Sequence, residues 1–200
     1  MSSVAGWTAT PVDLVVSVLI GYLVGSIPIA NLVARRRASV DLREIGDRNP
    51  GFWNARENLG RMAAVPVFVG DVAKGAAAAG VGALFADDGV WGVAYVAGGA
   101  AMVGHAWPVF ARFVGGRSIL AFVGTVLVAA TVPTLMAIGL LLVVFVLTRS
   151  FAVASRAGML VLPFVQIVVE GPFRTAATGV LMTFIGLRFG QAALADRHRT

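Results

Sequence analysis

Residues 118–148 read SILAFVGTVLVAATVPTLMAIGLLLVVFVLT, without one charged side chain. As a single helix rising about 1.5 Å per residue, this stretch would measure roughly 46 Å, against a bilayer hydrocarbon core of about 30 Å. It is too long for one span and short for two. Pro133 near its middle removes a helical donor, so a hairpin of two helices, 118–132 and 133–148, is expected. Similar apolar runs lie on both sides. Upstream, 12–34 is closed by Arg35-Arg36-Arg37, 62–85 ends at the turn-like Asp87-Asp88-Gly89, and 90–104 leads to His105; downstream come 157–169 and 175–190. The expectation is one all-α integral membrane domain over 1–200 with about seven transmembrane helices.

Composition agrees. Of 200 residues, 58% are hydrophobic and 13% charged, and the mean hydropathy is +0.86. A soluble domain needs more charge to cover its surface. No cysteine occurs and there are two histidines. Disulfides and thiolate chemistry are excluded, and no metal site is expected. The net charge of +6 would suggest nucleic acid in a soluble chain, but here the arginines flank apolar runs and report orientation. No nucleic-acid partner is expected. Met1 to Pro11 carries no Lys or Arg, so the first run reads as an uncleaved span and not as a signal peptide.

With seven spans, all of the sixteen Lys and Arg residues except Lys74 and Arg174 fall on one side, in loops 35–61, 105–117 and 149–156 and the C-terminal tail. The positive-inside rule makes that side the cytoplasm, with the N-terminus outside and the C-terminus inside. Small residues such as Gly98-Gly99-Ala100-Ala101 let helices approach closely. No internal repeat is visible.

Three clusters could carry chemistry. The first is the loop 40–60, VDLREIGDRNPGFWNARENLG, in which Asn49-Pro50-Gly51 signals a turn and Arg43, Asn54 and Arg56 offer donors to an anion at the membrane surface. Headgroup anchoring is the alternative. The second is 104–118, GHAWPVFARFVGGRS. There Gly115-Gly116-Arg117 precedes a new helix, whose N-terminus could hold a phosphate on exposed N–H groups. His105 in this loop is a candidate base, with an interfacial polar residue as the alternative. Ala111 rules out a Walker A loop, and Phe110 stands where thioester-using acyltransferases place an aspartate after the histidine. The third is Asp71 and Lys74, on one helical face inside a span. Ionisable groups at that depth mark function unless they pair merely to hold helices together.

Gly25-Ser26-Ile27-Pro28, Val40-Asp41-Leu42-Arg43, Gly46, Asn49, Gly51, Asn54, Asp71, Lys74-Gly75, Gly104-His105, Pro108-Val109-Phe110, Phe113 and Gly115-Gly116 together resemble the bacterial acyl-phosphate:glycerol-3-phosphate acyltransferases, the PlsY family, over about 15–125. The resemblance implies a seven-helix enzyme of the bacterial inner membrane with cytoplasmic active-site loops. It would transfer a fatty acyl group from acyl phosphate to glycerol 3-phosphate, giving lysophosphatidic acid for phospholipid synthesis, with no cofactor. Carried over by position, His105 and Asn54 would be catalytic. Arg43, Asn49, Gly51, Arg56, Lys74, Gly115, Gly116 and Arg117 would bind substrate or phosphate.

The chain departs from the family pattern at several places. Asp47 stands for a serine, Arg48 for a glycine, Phe52-Trp53 for Ala-Thr and Glu57 for an arginine in the first loop; Val114 and Arg117 each stand for a Lys in the second. Of the C-terminal motif only Arg197-His198-Arg199 remains. Asp47 and Glu57 would repel an anionic substrate unless Arg48 and Arg56 compensate. A non-catalytic homologue serving as a binding or assembly subunit is therefore one rival, and a small transporter using Asp71 and Lys74 is the other.

Overall fold

Thr10 starts the first helix by a reciprocal cap: the Asp13 N–H donates to Thr10 Oγ1 at 3.2 Å, and the Thr10 N–H donates to Asp13 Oδ2 at 3.0 Å. The computed structural model describes residues 9–85 and 91–197. The Asp87-Asp88-Gly89 turn and the His198-Arg199 end of the C-terminal pattern lie outside them. From the Thr10 cap runs α1 (Pro11–Gly25), followed by α2 (Ile29–Ala38), α3 (Phe52–Leu59), α4 (Arg61–Leu84), α5 (Trp91–Ala106), a 3₁₀ turn (Val109–Ala111), α6 (Ile119–Ala129), α7 (Thr131–Thr148), α8 (Phe151–Val169) and α9 (Pro172–Arg197). No strand occurs among the described residues.

Six units are long and apolar enough to cross a membrane: Pro11–Ala38, Arg61–Leu84, Trp91–Ala111, Thr131–Thr148, Phe151–Val169 and Pro172–Ala195, with α6 a shorter apolar helix. The protein is an all-α integral membrane protein, as expected. Leu147, Phe164, Val168 and Phe173 are largely exposed, which only a lipid solvent tolerates on this scale.

Two boundaries differ from the sequence reading. The run 12–34 is not one helix: the chain unwinds over Ser26–Pro28, because Pro28 has no N–H to give back to the preceding turn. The apolar stretch 118–148 breaks at Ala130, not at Pro133. Pro133 sits in the first turn of α7, where its missing N–H costs nothing. Thr134 Oγ1 donates to the Val126 carbonyl eight residues back at 2.9 Å. A straight helix would place these residues about 12 Å apart along its axis, so the chain bends sharply here. α8 and α9 also start earlier than expected, α8 behind the Ser150 cap.

The bundle packs on small residues. A Cβ at Gly75 would collide with the Ala121 carbonyl, and one at Gly124 with the Val72 carbonyl. α4 and α6 therefore touch backbone to backbone. Gly21 and Gly25 do the same for α1 against Ala97 and Ala101 of α5. A second core of Ala30, Ala34, Leu42, Ala55, Ala64 and Val67 sits beneath the first loop and gives it a floor to fold onto.

Candidate active site

The loop between α2 and α3 is held by its own polar groups. Leu42 is fully buried. Its N–H donates to Asn31 Oδ1 at 3.2 Å, and its carbonyl accepts from Asn54 Nδ2 at 2.8 Å. Asn54 Nδ2 also donates to the Ile45 carbonyl at 2.9 Å, and Asn54 Oδ1 accepts from Asn58 Nδ2 at 2.7 Å. The Asn54 amide is thus fully engaged with protein, which makes it a clamp on the loop.

Asp41 binds Arg43, whose Nε donates to Oδ1 at 2.9 Å, and Arg35, whose Nη2 donates to Oδ2 at 3.0 Å. Hydrogen bonding to Arg43 above all holds the Asp41 carboxyl well below the usual carboxylate range. Arg43 Nη1 then reaches across to the Ala111 carbonyl at 2.9 Å. The two loops are joined a second time by Arg117 Nη1 and Asp47 Oδ2 at 3.1 Å.

In the second loop the Gly116 N–H donates to the His105 carbonyl at 3.0 Å. It is therefore not the free phosphate donor expected of it. The glycines serve close approach: a Cβ at Gly115 would strike the His105 carbonyl, and one at Gly116 would strike His105 Nε2. Ser118 takes φ +65° ahead of α6 while its Oγ donates to the Met102 carbonyl at 2.7 Å. Arg188 of α9 lies over the Trp107 ring at 4.7 Å, with Nη2 3.4 Å from the Gly116 carbonyl.

Between these loops and the α1–α2 break lies a pocket lined by Pro28, Ile29, Asn31, Pro50, Asp71, Lys74, His105, Val114, Gly115 and Gly116 among others. Lys74 Nζ is 2.9 Å from Asp71 Oδ1 and donates to the unwound Ile27 carbonyl at 3.3 Å. His105 Nδ1 is 3.6 Å from the same Asp71 oxygen and has no hydrogen-bond partner among the described residues. A cation, a carboxylate and an imidazole, all buried, thus share one wall. Such a set can neutralise an anion and accept a proton.

Of the residues expected from sequence, the pocket gathers Lys74, His105, Gly115 and Gly116. Arg43, Asn54 and Arg117 hold loops instead. Asn49 and Gly51 flank the lining residue Pro50, and Arg56 stacks on Trp53 at 5.0 Å. Neither Asp47 nor Glu57 lines the pocket. The cation that compensates Asp47 is Arg117, not Arg48 or Arg56. The sequence reading offered Asp71 beside Lys74 and passed over Asn31 and Arg188. For Asn31 the only signal was an amide inside an apolar helix.

The family described as Glycerol-3-phosphate acyltransferase matches residues 15–195. This chain belongs to that family. Among other members, Glycerol-3-phosphate acyltransferase 5 of Dehalococcoides mccartyi is 37% identical over 76% of this chain, and the matched segment spans 64% of that relative's length. The Agrobacterium fabrum Glycerol-3-phosphate acyltransferase is 33% identical over 92% of this chain and 88% of its own. A crystal structure of the integral membrane glycerol 3-phosphate acyltransferase PlsY (YgiH), in a glycerol 3-phosphate form, superposes with a TM-score of 0.76 at 28% identity, covering 89% of this chain and 88% of that one. A lysophosphatidic acid form of PlsY gives 0.72 at 25% identity, covering 88% of this chain and 87% of that one. In this glycerol-3-phosphate acyltransferase family member, the pocket at the α1–α2 break is the candidate active site.

Proposed function

We propose that this protein is a membrane acyltransferase of phospholipid synthesis that moves a fatty acyl group from acyl phosphate to a hydroxyl of glycerol 3-phosphate, yielding lysophosphatidic acid and phosphate. The observation that carries the reading is the buried wall of Lys74, Asp71 and His105 facing the Gly115-Gly116 turn at the loop end of the bundle. The acceptor oxygen bonds to the acyl carbon, the bond from that carbon to the bridging phosphate oxygen breaks, and the hydroxyl proton ends on the released phosphate. His105, on the pocket wall, takes that proton in transit, and Lys74 offsets the phosphate charge. Asn54 acts through the loop it clamps, as a positioning residue. Asn49 and Gly51 shape the rim around Pro50, while Arg43 and Arg117 keep the two loops together. Arg56 stacks on Trp53, away from the pocket lining.

The cation distribution supports cytoplasmic loops, an outside N-terminus and residence in a bacterial inner membrane. Against the non-catalytic rival, Asp47 pairs with Arg117, and neither Asp47 nor Glu57 lines the pocket. Purified protein given acyl phosphate and glycerol 3-phosphate should release phosphate and form lysophosphatidic acid. No product from folded protein would remove the enzyme reading.

A further inference from the structure

Asn31 is 4% exposed and lines the pocket from the first turns of α2. Its Oδ1 accepts the Leu42 N–H, which fixes which end of the amide is oxygen and which is nitrogen. Nδ2 makes no hydrogen bond with any described residue, nor is it among the fully buried polar atoms without a partner, so solvent space reaches it. At a residue this enclosed, that space is the pocket. Lys74, whose Nζ donates to the Ile27 carbonyl just ahead of α2, lines the same pocket. A ligand oxygen entering the pocket can accept from this amide donor in place of water.

We propose that Asn31 is a specificity residue whose Nδ2 donates to an oxygen of the anionic acceptor, while Oδ1 holds the amide in place through Leu42. The proposal rests on the substrate reading above and adds a second donor, from α2, to the cation on α4. Because one end of the amide is structural and the other faces ligand, two substitutions separate the roles. Asn31→Asp keeps an acceptor for the Leu42 N–H but aims a negative oxygen into an anion pocket. Asn31→Ala removes both ends.

The test measures the KM for glycerol 3-phosphate, which does not depend on how much protein is folded, together with kcat and the unfolding midpoint in detergent. For Asn31→Asp the KM should rise about tenfold or more, with kcat within about threefold of wild type, because a site built to hydrogen-bond a ligand rejects a mismatched partner strongly. Asn31→Ala should also raise KM and unfold earlier. An Asn31→Asp enzyme with wild-type KM, whether or not Asn31→Ala is impaired, overturns the proposal and leaves Asn31 a support for Leu42. A folded wild type that neither binds glycerol 3-phosphate by calorimetry nor acylates it overturns the substrate reading, and this inference with it.

Discussion

Arg117 Nη1 lies 3.1 Å from Asp47 Oδ2 while its guanidinium sits 4.7 Å over the Phe189 ring. One side chain thereby ties the first loop, the second loop and α9 together. Asp47 is over a third exposed, so the ion pair itself contributes less than about 1 kcal/mol to stability. Its effect falls on loop geometry. Arg117→Ala is expected to lower kcat/KM for glycerol 3-phosphate about tenfold, Asp47→Ala less than threefold, and the double variant no more than Arg117→Ala alone, as a double-mutant cycle reads coupled residues. Strict additivity would mean that the pair does not act as a unit.

The two glycines of the second loop should separate stability from activity. A Cβ at Gly115 meets backbone at His105, which cannot yield, so Gly115→Ala should cost about 1–3 kcal/mol in unfolding experiments. The nearest atoms to a Cβ at Gly116 belong to the tip of the His105 ring. Gly116→Ala should keep most of the stability and lose activity about as severely as His105→Ala, by roughly 100-fold or more in kcat.

Asn54 is 1% exposed and satisfies two carbonyls and one amide. Asn54→Leu strands those groups and should destabilise the protein by about 3 kcal/mol, read as an earlier unfolding midpoint. If Asn54 instead contacted substrate, Asn54→Leu would alter turnover and leave the midpoint in place.

Asp41 sets an acid tolerance. Its folded carboxyl is depressed by Arg43 and then Arg35, so its contribution is present above the ordinary aspartate value of about 3.9 and is lost only as pH falls well below it. Limited proteolysis of the loop at 39–51 should be as slow at about pH 4 as at pH 7 in the wild type. Asp41→Asn should be cut faster at both. Wild-type cleavage that accelerates between those two pH values would contradict this assignment.

Arg188 stacks on Trp107 and donates toward the Gly116 carbonyl. Planarity matters to both contacts, so Arg188→Lys should rescue little of what Arg188→Met loses. Each should raise the KM for glycerol 3-phosphate about threefold to tenfold with kcat nearly unchanged. A lysine variant with wild-type KM would show that charge alone suffices.

Much of the fold was legible because lipid is an undemanding solvent to recognise: runs such as 62–85, bounded by Arg61 on one side, state both the helix and its edge. Lys74 and His105, which line the pocket, stood out too, since an ionisable group inside or beside an apolar run is costly unless used. Other features had no local sign. The break at Ala130 could not be seen, because Pro133 signals a boundary equally well from inside a first turn. Nor could the partners of Asn54 be seen, since an asparagine's partners are chosen by the loop folded around it.

The sequence by itself determined the solvent, most of the helices and the family, because hydropathy and charge act residue by residue along the chain. Only the tertiary structure decided that Arg117 answers Asp47, that the Gly116 N–H is already taken by His105, and that Asn31 turns one end of its amide to Leu42 and the other to the pocket. Those outcomes depend on distances between segments far apart in the chain, and a hydrogen bond or ion pair is made or lost within about an ångström.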